Sequence, residues 1–236
     1  MNDIQNQLEQ NALFEDLSPM ATKNAAVFIG RFSPPTAGHY EVINLVKKFI
    51  RENKKLNLEA APVIIIIGGS KSDDDKKRNP LSVTERESFM KASGKANGCV
   101  FFSASNAFEA FSLLRNKGYE PIAIAAGTDR INDYKKMLDK YFLTTDEKPI
   151  EHYKIHLKRD EESIDDNKDA KKKAIDSILS SMKEGGDLET DEISASLARR
   201  AVELGYEPEF AKIVGLEHKP QLAKKMFAKI TISMGV

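Results

Sequence analysis

The stretch "GRFSPPTAGHYEVI", residues 30–43, separates two different hydrophobic patterns. Before it, the apolar run Ala25–Ile29 has the length of a buried strand and ends in Gly30. After it, apolar residues between Val42 and Ile50 recur every three or four positions, which predicts an amphipathic helix. The stretch therefore predicts a strand, a tight loop and a helix in that order, which is the repeating unit of an α/β fold.

The same order of strand and helix recurs along the chain. Further apolar strands are expected at "VIIII" (63–67), "CVFFSA" (99–104) and "PIAIAAG" (121–127), each followed by a helical pattern, and a last strand at "HYKIHL" (152–157). Continuous apolar strands that alternate with helices are typical of a parallel sheet covered on both faces. The sequence therefore predicts an α/β fold with a doubly wound parallel sheet and a C-terminal helical segment.

Composition divides the chain into four expected parts. Residues 1–24 are polar and lack apolar periodicity, so we expect an N-terminal extension. Residues 25–158 hold the α/β core. Residues 159–192 are strongly charged and predict an insertion that is part helical and part mobile. Residues 193–236 predict a C-terminal helical part that begins with the motif "ISAS".

Overall composition argues against several classes of protein. The 36 basic and 36 acidic residues cancel, so no whole-molecule attraction to nucleic acid or to an anionic membrane is expected. The single cysteine, Cys99, excludes an intramolecular disulfide framework and a multi-cysteine zinc site. The first residues lack a secretory signal pattern, and the longest apolar run is too short to span a bilayer. We therefore expect a cytoplasmic protein with no nucleic-acid or membrane partner.

The loop "PPTAGH" has the chemistry of an anion-binding turn. Its prolines stiffen the loop, Thr36 can cap the following helix, and Gly38 permits close approach to the backbone. His39 then lies in the first helical turn, where unpaired N–H groups and the helix dipole attract anions. The residues predict a phosphate site; the alternative is a capped helix whose histidine only packs.

Two further segments could add to such a site. Arg78 lies in "KKRNPLSVTER", ahead of a helix that Ser82 is expected to cap, and its guanidinium could form a fork with a triphosphate. In "ISASLAR", Ser194 and Ser196 offer hydroxyls at another helix start and Arg199 follows in its early turns. The alternatives are a solvated basic loop and an ordinary serine cap with a surface arginine.

Taken together, "GRFSPPTAGH" and the distant "ISASLAR" resemble the (H/T)-x-G-H and I-S-x-T-x-x-R motifs of the nucleotidyltransferase superfamily. The resemblance covers about residues 25–215 in order. The first motif, the "RNPLSVTER" block and "AAGTDR" look most like archaeal-type nicotinamide-mononucleotide adenylyltransferases and related phage-type nucleotidyltransferases. The resemblance implies a Rossmann-like nucleotidyltransferase fold. It also implies transfer of a nucleoside monophosphate, AMP from ATP, to a small phosphorylated acceptor with release of pyrophosphate, and nicotinamide mononucleotide is one candidate acceptor.

The same resemblance implies a role for each motif residue. Three residues would stabilise charge on the phosphates as catalytic groups: Thr36, His39 and Arg199. The nucleotide would be bound by Gly30, Arg31, Phe32, Gly38, Arg78, Ser194 and Ser196. The acceptor would face Gly127, Asp129 and Arg130 in "GTDR". Magnesium would be carried by the nucleotide phosphates, with no metal site formed by the protein itself.

Two other functions stay open at this point. The base is selected by loops outside the motifs, so a cytidylyltransferase acting on a polyol or sugar phosphate fits the same residues. A non-catalytic nucleotide-binding regulatory or assembly module is the alternative of another class. The chain has no tryptophan, which often stacks on the nicotinamide ring in related enzymes, and Phe102, Phe108 or Tyr134 could stack instead. A homo-oligomer is compatible with the sequence.

Overall fold

A computed structural model describes residues 23–68, 75–141, 153–155, 168–184, 188 and 193–236. The described strands are β1 (Lys23–Gly30), β2 (Val63–Ile67), β3 (Val100–Ala104), β4 (Tyr119–Ala125) and β5 (Tyr153–Ile155). They form one sheet in the order β3-β2-β1-β4-β5, and every neighbouring pair is parallel. The structure confirms the predicted doubly wound parallel sheet.

The described helices follow the strands in the expected alternation. They are α1 (Ala37–Glu52), α2 (Val83–Ser93), α3 (Ala107–Asn116), α4 (Thr128–Tyr141), α5 (Lys168–Lys183), α6 (Ala195–Glu203), α7 (Glu207–Ile213) and α8 (Pro220–Met234). A short 3₁₀ helix, Lys54–Leu56, was not predicted. Among the helices of these described ranges, none combines the length and apolar character that crossing a bilayer requires.

Alternate residues of each central strand pack against opposite layers. On β1, Val27 and Ile29 face a cluster formed with α3 and α4, whereas Ala26 and Phe28 face a cluster formed with α1 and α2. Both faces of the sheet are therefore covered, which explains why the strands are continuously apolar instead of alternating with polar residues. Each fully buried aliphatic side chain contributes roughly 1.5–3 kcal/mol to folding.

A third apolar cluster joins the C-terminal helices to the α/β core. Leu81 and Phe89, at the start and middle of the α2 region, pack with buried residues of α5, α6, α7 and α8. Leu179 and Met182 of α5 belong to this cluster and are 0% and 3% exposed. Helix α5 lies inside the predicted insertion 159–192, and most other residues of that insertion lie outside the described ones, so its mobile part stays a prediction.

Strand β1 begins earlier than the sequence predicts. Lys23 and Asn24 pair with Tyr119 and Glu120 of β4, so the last two residues of the predicted extension 1–24 are part of the sheet. Both side chains are polar, so the apolar pattern that predicted the strand did not include them. Residues 1–22 of that predicted extension lie outside the described residues.

The order of the strands places a crevice beside β1. From β1 the chain passes first to β2 and β3 on one side, and later to β4 and β5 on the other. In sheets of this kind, ligands bind beyond the carboxyl ends of the strands where the direction of winding reverses. That point lies between β1 and β4, so the loops after Gly30 and Ala125 border it.

Candidate functional site

The turn after β1 is built around the ring of Phe32. Phe32 has a φ of 51°, in the left-handed region, and is 1% exposed. A Cβ atom on Gly30 would lie 3.0 Å from Cζ of Phe32, so the absence of a side chain at position 30 makes room for the ring. The ring centroid of Phe32 lies 4.9 Å from that of His39. Gly30 thus leaves space for the ring of Phe32, and that ring packs against the imidazole of His39.

Thr36 and His39 define the N-terminus of α1. Thr36 is the N-cap, and its backbone N–H donates to Nδ1 of His39 over 3.0 Å. The Oγ1 atom of Thr36 lies 2.8 Å from the same nitrogen. Because a backbone N–H can only donate, Nδ1 must accept, and a neutral ring therefore carries its proton on Nε2. The first turn of α1 contains no acidic residue.

Gly38 brings the two sequence motifs together. A Cβ atom on Gly38 would lie 3.6 Å from the carbonyl oxygen of Ile193 and 3.7 Å from its Cγ2 atom. These are ordinary contact distances, so the partner that approaches the Gly38 backbone in this structure is the segment just before α6. The "TAGH" turn and the "ISAS" segment therefore lie against each other.

Helix α6 is tied to the loop after β1 by Arg199. Ser194 caps the helix and accepts a hydrogen bond from the N–H of Leu197 at 3.1 Å. The Nη1 atom of Arg199 donates to the carbonyl oxygen of Ser33 at 2.6 Å, and Nη2 donates to Oγ of Ser196 at 3.1 Å. The guanidinium is thereby fixed beside the turn that carries His39.

Two arginines from other segments of the chain, Arg31 and Arg78, both repel Arg199 at this corner. Burial, followed by repulsion from Arg31 and Arg78, lowers the pKa of Arg199 to about 10. The guanidinium is still protonated at neutral pH. Arg31 and Arg78 are exposed. Because charges couple this way only at short range, three positive groups share one corner, and a polyanion placed there would relieve their repulsion.

The residues expected to face an acceptor lie on the other side of the crevice. The carbonyl oxygen of Gly127 accepts the N–H groups of Arg130 and Ile131, so α4 starts at this point beyond β4. Asp129 is in the first turn of α4, and its side chain is outside the described part of the structure. Arg130 is exposed. The backbone of "GTDR" thus borders the crevice.

The three aromatic residues considered for stacking belong to one apolar layer of the fold. Phe102, Phe108 and Tyr134 all pack, partly buried, against the cluster beneath α3 and α4. The ring of Phe102 lies 6.1 Å from that of Tyr119, and the ring of Tyr134 lies 6.2 Å from that of Phe111. Their stacking on a ligand stays a prediction.

One charged residue of this region was missed by the sequence reasoning. Arg86 in α2 is 1% exposed, and its guanidinium donates to carbonyl groups at the ends of two strands. The "RNPLSVTER" block contains it, but an arginine on a helix is normally assigned to the surface. The apolar positions three and four residues later, Phe89 and Met90, were the only sequence signal that it lies on the buried face.

Among the described residues, few acidic or metal-ligating side chains surround this corner. In the described ranges, no group of three or more His, Cys, Asp and Glu side chains could hold a metal ion. Glu203 and Asp75 are the carboxylates whose charges act on Arg199, and each raises its pKa against the larger opposing effects. The corner therefore has the character of an anion site.

Comparison with known families agrees with this geometry. The family model described as cytidylyltransferase-like matches residues 27–201, from β1 to α6, and so includes both motifs. No curated protein matches the chain significantly. The resemblance to the superfamily is confirmed, whereas closeness to the nicotinamide-mononucleotide adenylyltransferases stays a prediction. The chain belongs to the cytidylyltransferase-like family, within the nucleotidyltransferase superfamily.

Proposed function

We propose that the protein transfers a nucleoside monophosphate from a nucleoside triphosphate to a small phosphorylated acceptor and releases pyrophosphate. The observation that carries this proposal is the meeting of Arg31, Arg78 and Arg199 beside His39 at the N-terminus of α1. Three positive groups and a helix start suit a chain of phosphates better than a single carboxylate. Membership of the family supports the same reaction class.

In the proposed reaction, an oxygen of the acceptor phosphate attacks the α-phosphorus of the triphosphate. A bond forms between them, the bond from the α-phosphorus to the bridging oxygen breaks, and pyrophosphate leaves with that oxygen. Such transfers depend on in-line positioning and on stabilisation of charge. The attacking oxygen is already ionised at neutral pH, so the reaction requires no general base.

Each group of the corner has a place in this proposal. His39, with its proton on Nε2, and the first N–H groups of α1 would stabilise charge that develops at the α-phosphate. The three arginines would hold the β- and γ-phosphates. Ser194 and Ser196 would add hydroxyls from α6, and Gly30, Phe32 and Gly38 would shape the turn. Thr36 would orient the imidazole through the hydrogen bond that fixes its tautomer.

Magnesium would arrive with the triphosphate and neutralise part of its charge when bound. Mg²⁺ usually binds through substrate phosphates, water and only one or two carboxylates. The described part of this corner contains three arginines and few acids, which fits a metal carried by the nucleotide. We therefore assign no protein residue as a dedicated metal ligand.

The base and the acceptor are the finer parts of the proposal. We propose ATP as the donor and nicotinamide mononucleotide as one candidate acceptor, with Gly127, Asp129 and Arg130 facing it across the crevice. The family description is equally compatible with CTP and a polyol or sugar phosphate. A non-catalytic nucleotide-binding module is less favoured, because the chain retains both motifs with their hydroxyls, imidazole and guanidinium.

The test is pyrophosphate release from ATP, CTP, GTP and UTP with magnesium, each combined with a panel of phosphorylated acceptors. We expect release only when ATP and one acceptor are both present, and we expect the variant His39→Ala to lose it. The matched control is His218→Ala, because His218 is exposed and lies beside α8. Pyrophosphate release with CTP and an acceptor, and with none of the other three nucleotides, would assign the cytidylyl reaction. Nucleotide binding without release for any pair would contradict catalysis.

A further inference from the structure

Helix α2 carries a charged residue at a position where packing would select an apolar one. The buried residues of α2 are Arg86, Phe89, Met90 and Ser93, which lie on one face of the helix. Arg86 is among the largest fully buried side chains of the described chain. A guanidinium is costly to bury unless hydrogen bonds replace its water, so its presence here calls for strong and specific partners.

Those partners are carbonyl groups of three separate segments. Nε of Arg86 donates to the carbonyl oxygen of Leu81 at 2.7 Å. Nη1 donates to the carbonyl oxygens of Arg31 at 3.0 Å and of Ile67 at 2.9 Å. Arg31 is the first residue after β1, Ile67 is the last residue of β2, and Leu81 directly precedes the cap of α2. One planar side chain therefore joins two strand ends to the segment that contains Arg78.

These bonds restrain the backbone at Arg31 and shortly after Arg78, the two exposed arginines of the corner. Arg86 holds the backbone of Arg31 directly and holds Leu81, which is three residues after Arg78. Arg31 and Arg78 are exposed, and both repel Arg199. Because both charges repel Arg199, a restrained backbone would help to keep Arg31 and Arg78 at this corner. An ammonium group lacks the fork geometry that reaches three carbonyls at once.

We infer that Arg86 is a positioning residue for the triphosphate: it fixes the backbone of Arg31 and of the segment after Arg78, so that their guanidiniums meet the phosphates together. It does not touch the ligand itself, because it is 1% exposed. This inference rests on the proposed function, since it assigns Arg86 a part in the same phosphate site. It concerns binding of the phosphates and is independent of which base or acceptor is used.

The test is a double-mutant cycle on binding of inorganic tripolyphosphate, measured by calorimetry with Arg86→Lys and Arg31→Ala. In the wild-type background, we expect Arg31→Ala to weaken binding about tenfold, as for loss of one charge-assisted hydrogen bond. In the Arg86→Lys background, where Arg31 is no longer held, we expect the same change to weaken binding by less than about threefold. Arg86→Gln gives a second background, and circular dichroism checks that each variant is folded.

The control is Arg115→Lys, which alters a partly buried arginine of α3 that pairs with Glu120 at 3.2 Å. It should leave the effect of Arg31→Ala at about tenfold, because distant sites are additive. An equal effect of Arg31→Ala in the wild-type, Arg86→Lys and Arg86→Gln backgrounds would overturn the inference and leave Arg86 a purely structural residue. Coupling without pyrophosphate release for any substrate pair would support the inference and contradict the proposed catalysis. Failure of the wild-type protein to bind tripolyphosphate would overturn both.

Discussion

Helices α1 and α2 both begin with a hydroxyl residue at the N-cap, but the residue three positions later, which accepts from the N-cap N–H, is charged in one and an imidazole in the other. In α2, Ser82 is the N-cap and Glu85, three residues later, accepts from its N–H at 2.9 Å. In α1, Thr36 is the N-cap and His39 occupies the place of the glutamate, accepting from the N–H of Thr36 at 3.0 Å. Both helices therefore satisfy the same backbone donor, but only α2 does so with a negative charge.

That difference separates a helix start that serves stability from one that can serve a ligand. The carboxylate of Glu85 compensates the positive end of α2, and Lys229 of α8 pairs with it at 2.9 Å. An uncharged imidazole does the same capping without compensating the dipole of α1. The first turn of α1 therefore contributes no negative charge of its own at this end, which lies beside the bond from Arg199 to Ser33.

The largest effect is expected from giving α1 the residue of α2. His39→Glu would keep the reciprocal cap but place a carboxylate at the proposed phosphate site. We expect turnover to fall by more than about a thousandfold, since a charge-stabilising donor is replaced by a repelling group. Pyrophosphate release measures turnover, and urea unfolding should show stability unchanged or raised by about 0.3–1 kcal/mol.

The reverse exchange, Glu85→His, is the control for this substitution. It changes the same position of the other helix, and it should leave turnover near the wild-type value. Normal turnover in His39→Glu would contradict the assignment of α1 as the phosphate-binding helix.

The next effect concerns removal of the imidazole without adding charge. His39→Ala should lower turnover by roughly two to three orders of magnitude, the usual result of losing one preorganised donor. It also removes half of the cap, so we expect a loss of about 0.5–1 kcal/mol in the free energy of unfolding. Steady-state kinetics on folded protein tests this. Near-normal turnover, or loss by unfolding alone, would favour a histidine that only packs.

A smaller effect is expected from the arginine that joins the two motifs. Arg199→Met should weaken triphosphate binding by about 10–100-fold, because one desolvated, charge-assisted partner is lost. The stability of the free protein should change by less than about 1 kcal/mol, since two hydrogen bonds are lost while repulsion from Arg31 and Arg78 is relieved. Calorimetry and urea unfolding measure the two quantities. Unchanged affinity would place Arg199 outside the phosphate site.

Asp129 tests the opposite side of the crevice. Asp129→Ala should raise the Michaelis constant for the acceptor by about tenfold and leave triphosphate affinity nearly intact, as for loss of one hydrogen bond to a substrate. Kinetics with one substrate varied at a time separates these constants. If Asp129→Ala weakened the binding of both substrates equally, α1 and α4 would not serve separate substrates.

The smallest effect is expected at the start of α2. Burial raises the pKa of the Glu85 carboxyl, but hydrogen bonds from Lys229 and Ser82 outweigh burial and leave the pKa lowered. Glu85→Gln should cost about 0.5 kcal/mol at neutral pH and leave turnover unchanged. A carboxyl with a lowered pKa stabilises the fold above its ordinary pKa of about 4.3, and that stability is lost as pH falls through the lowered value. The stability gap between wild type and variant should therefore close in acid, and a gap independent of pH would contradict the charge-based account.

The fold could be predicted because its determinants are local. Apolar runs such as "VIIII" fit strands buried on both faces, and the predicted cap of α2 by Ser82 is observed. The 3₁₀ helix Lys54–Leu56 and the early start of β1 were not predicted. Apart from Leu56, both consist of polar residues, and neighbouring segments set their conformation, for example through the hydrogen bond from Asn24 to the carbonyl oxygen of Leu56.

The site was predictable only to the extent that it depends on helix starts. Thr36, His39 and Ser194 lie in or beside first helical turns, as their sequence context indicates. The bond from Arg199 to Ser33 joins residues 166 positions apart, and local patterns hold no information about such a contact. The burial of Arg86 was missed for a related reason: its partners are backbone carbonyls, which any sequence supplies.

The contact between Gly30 and Phe32 also limits how this protein can evolve. Three atoms of the Phe32 ring lie within 3.3 Å of where a Cβ on Gly30 would stand, so Gly30→Ala forces the ring to move. A smaller residue at position 32 would restore the space but would remove the support beneath the imidazole of His39. We therefore expect strong epistasis between positions 30 and 32. Each single change should alter stability or turnover, and the double variant should be more stable than Gly30→Ala alone but should have lower turnover than the wild type. Glycine at the end of β1 is therefore the residue that keeps both the ring of Phe32 and the imidazole of His39 in place.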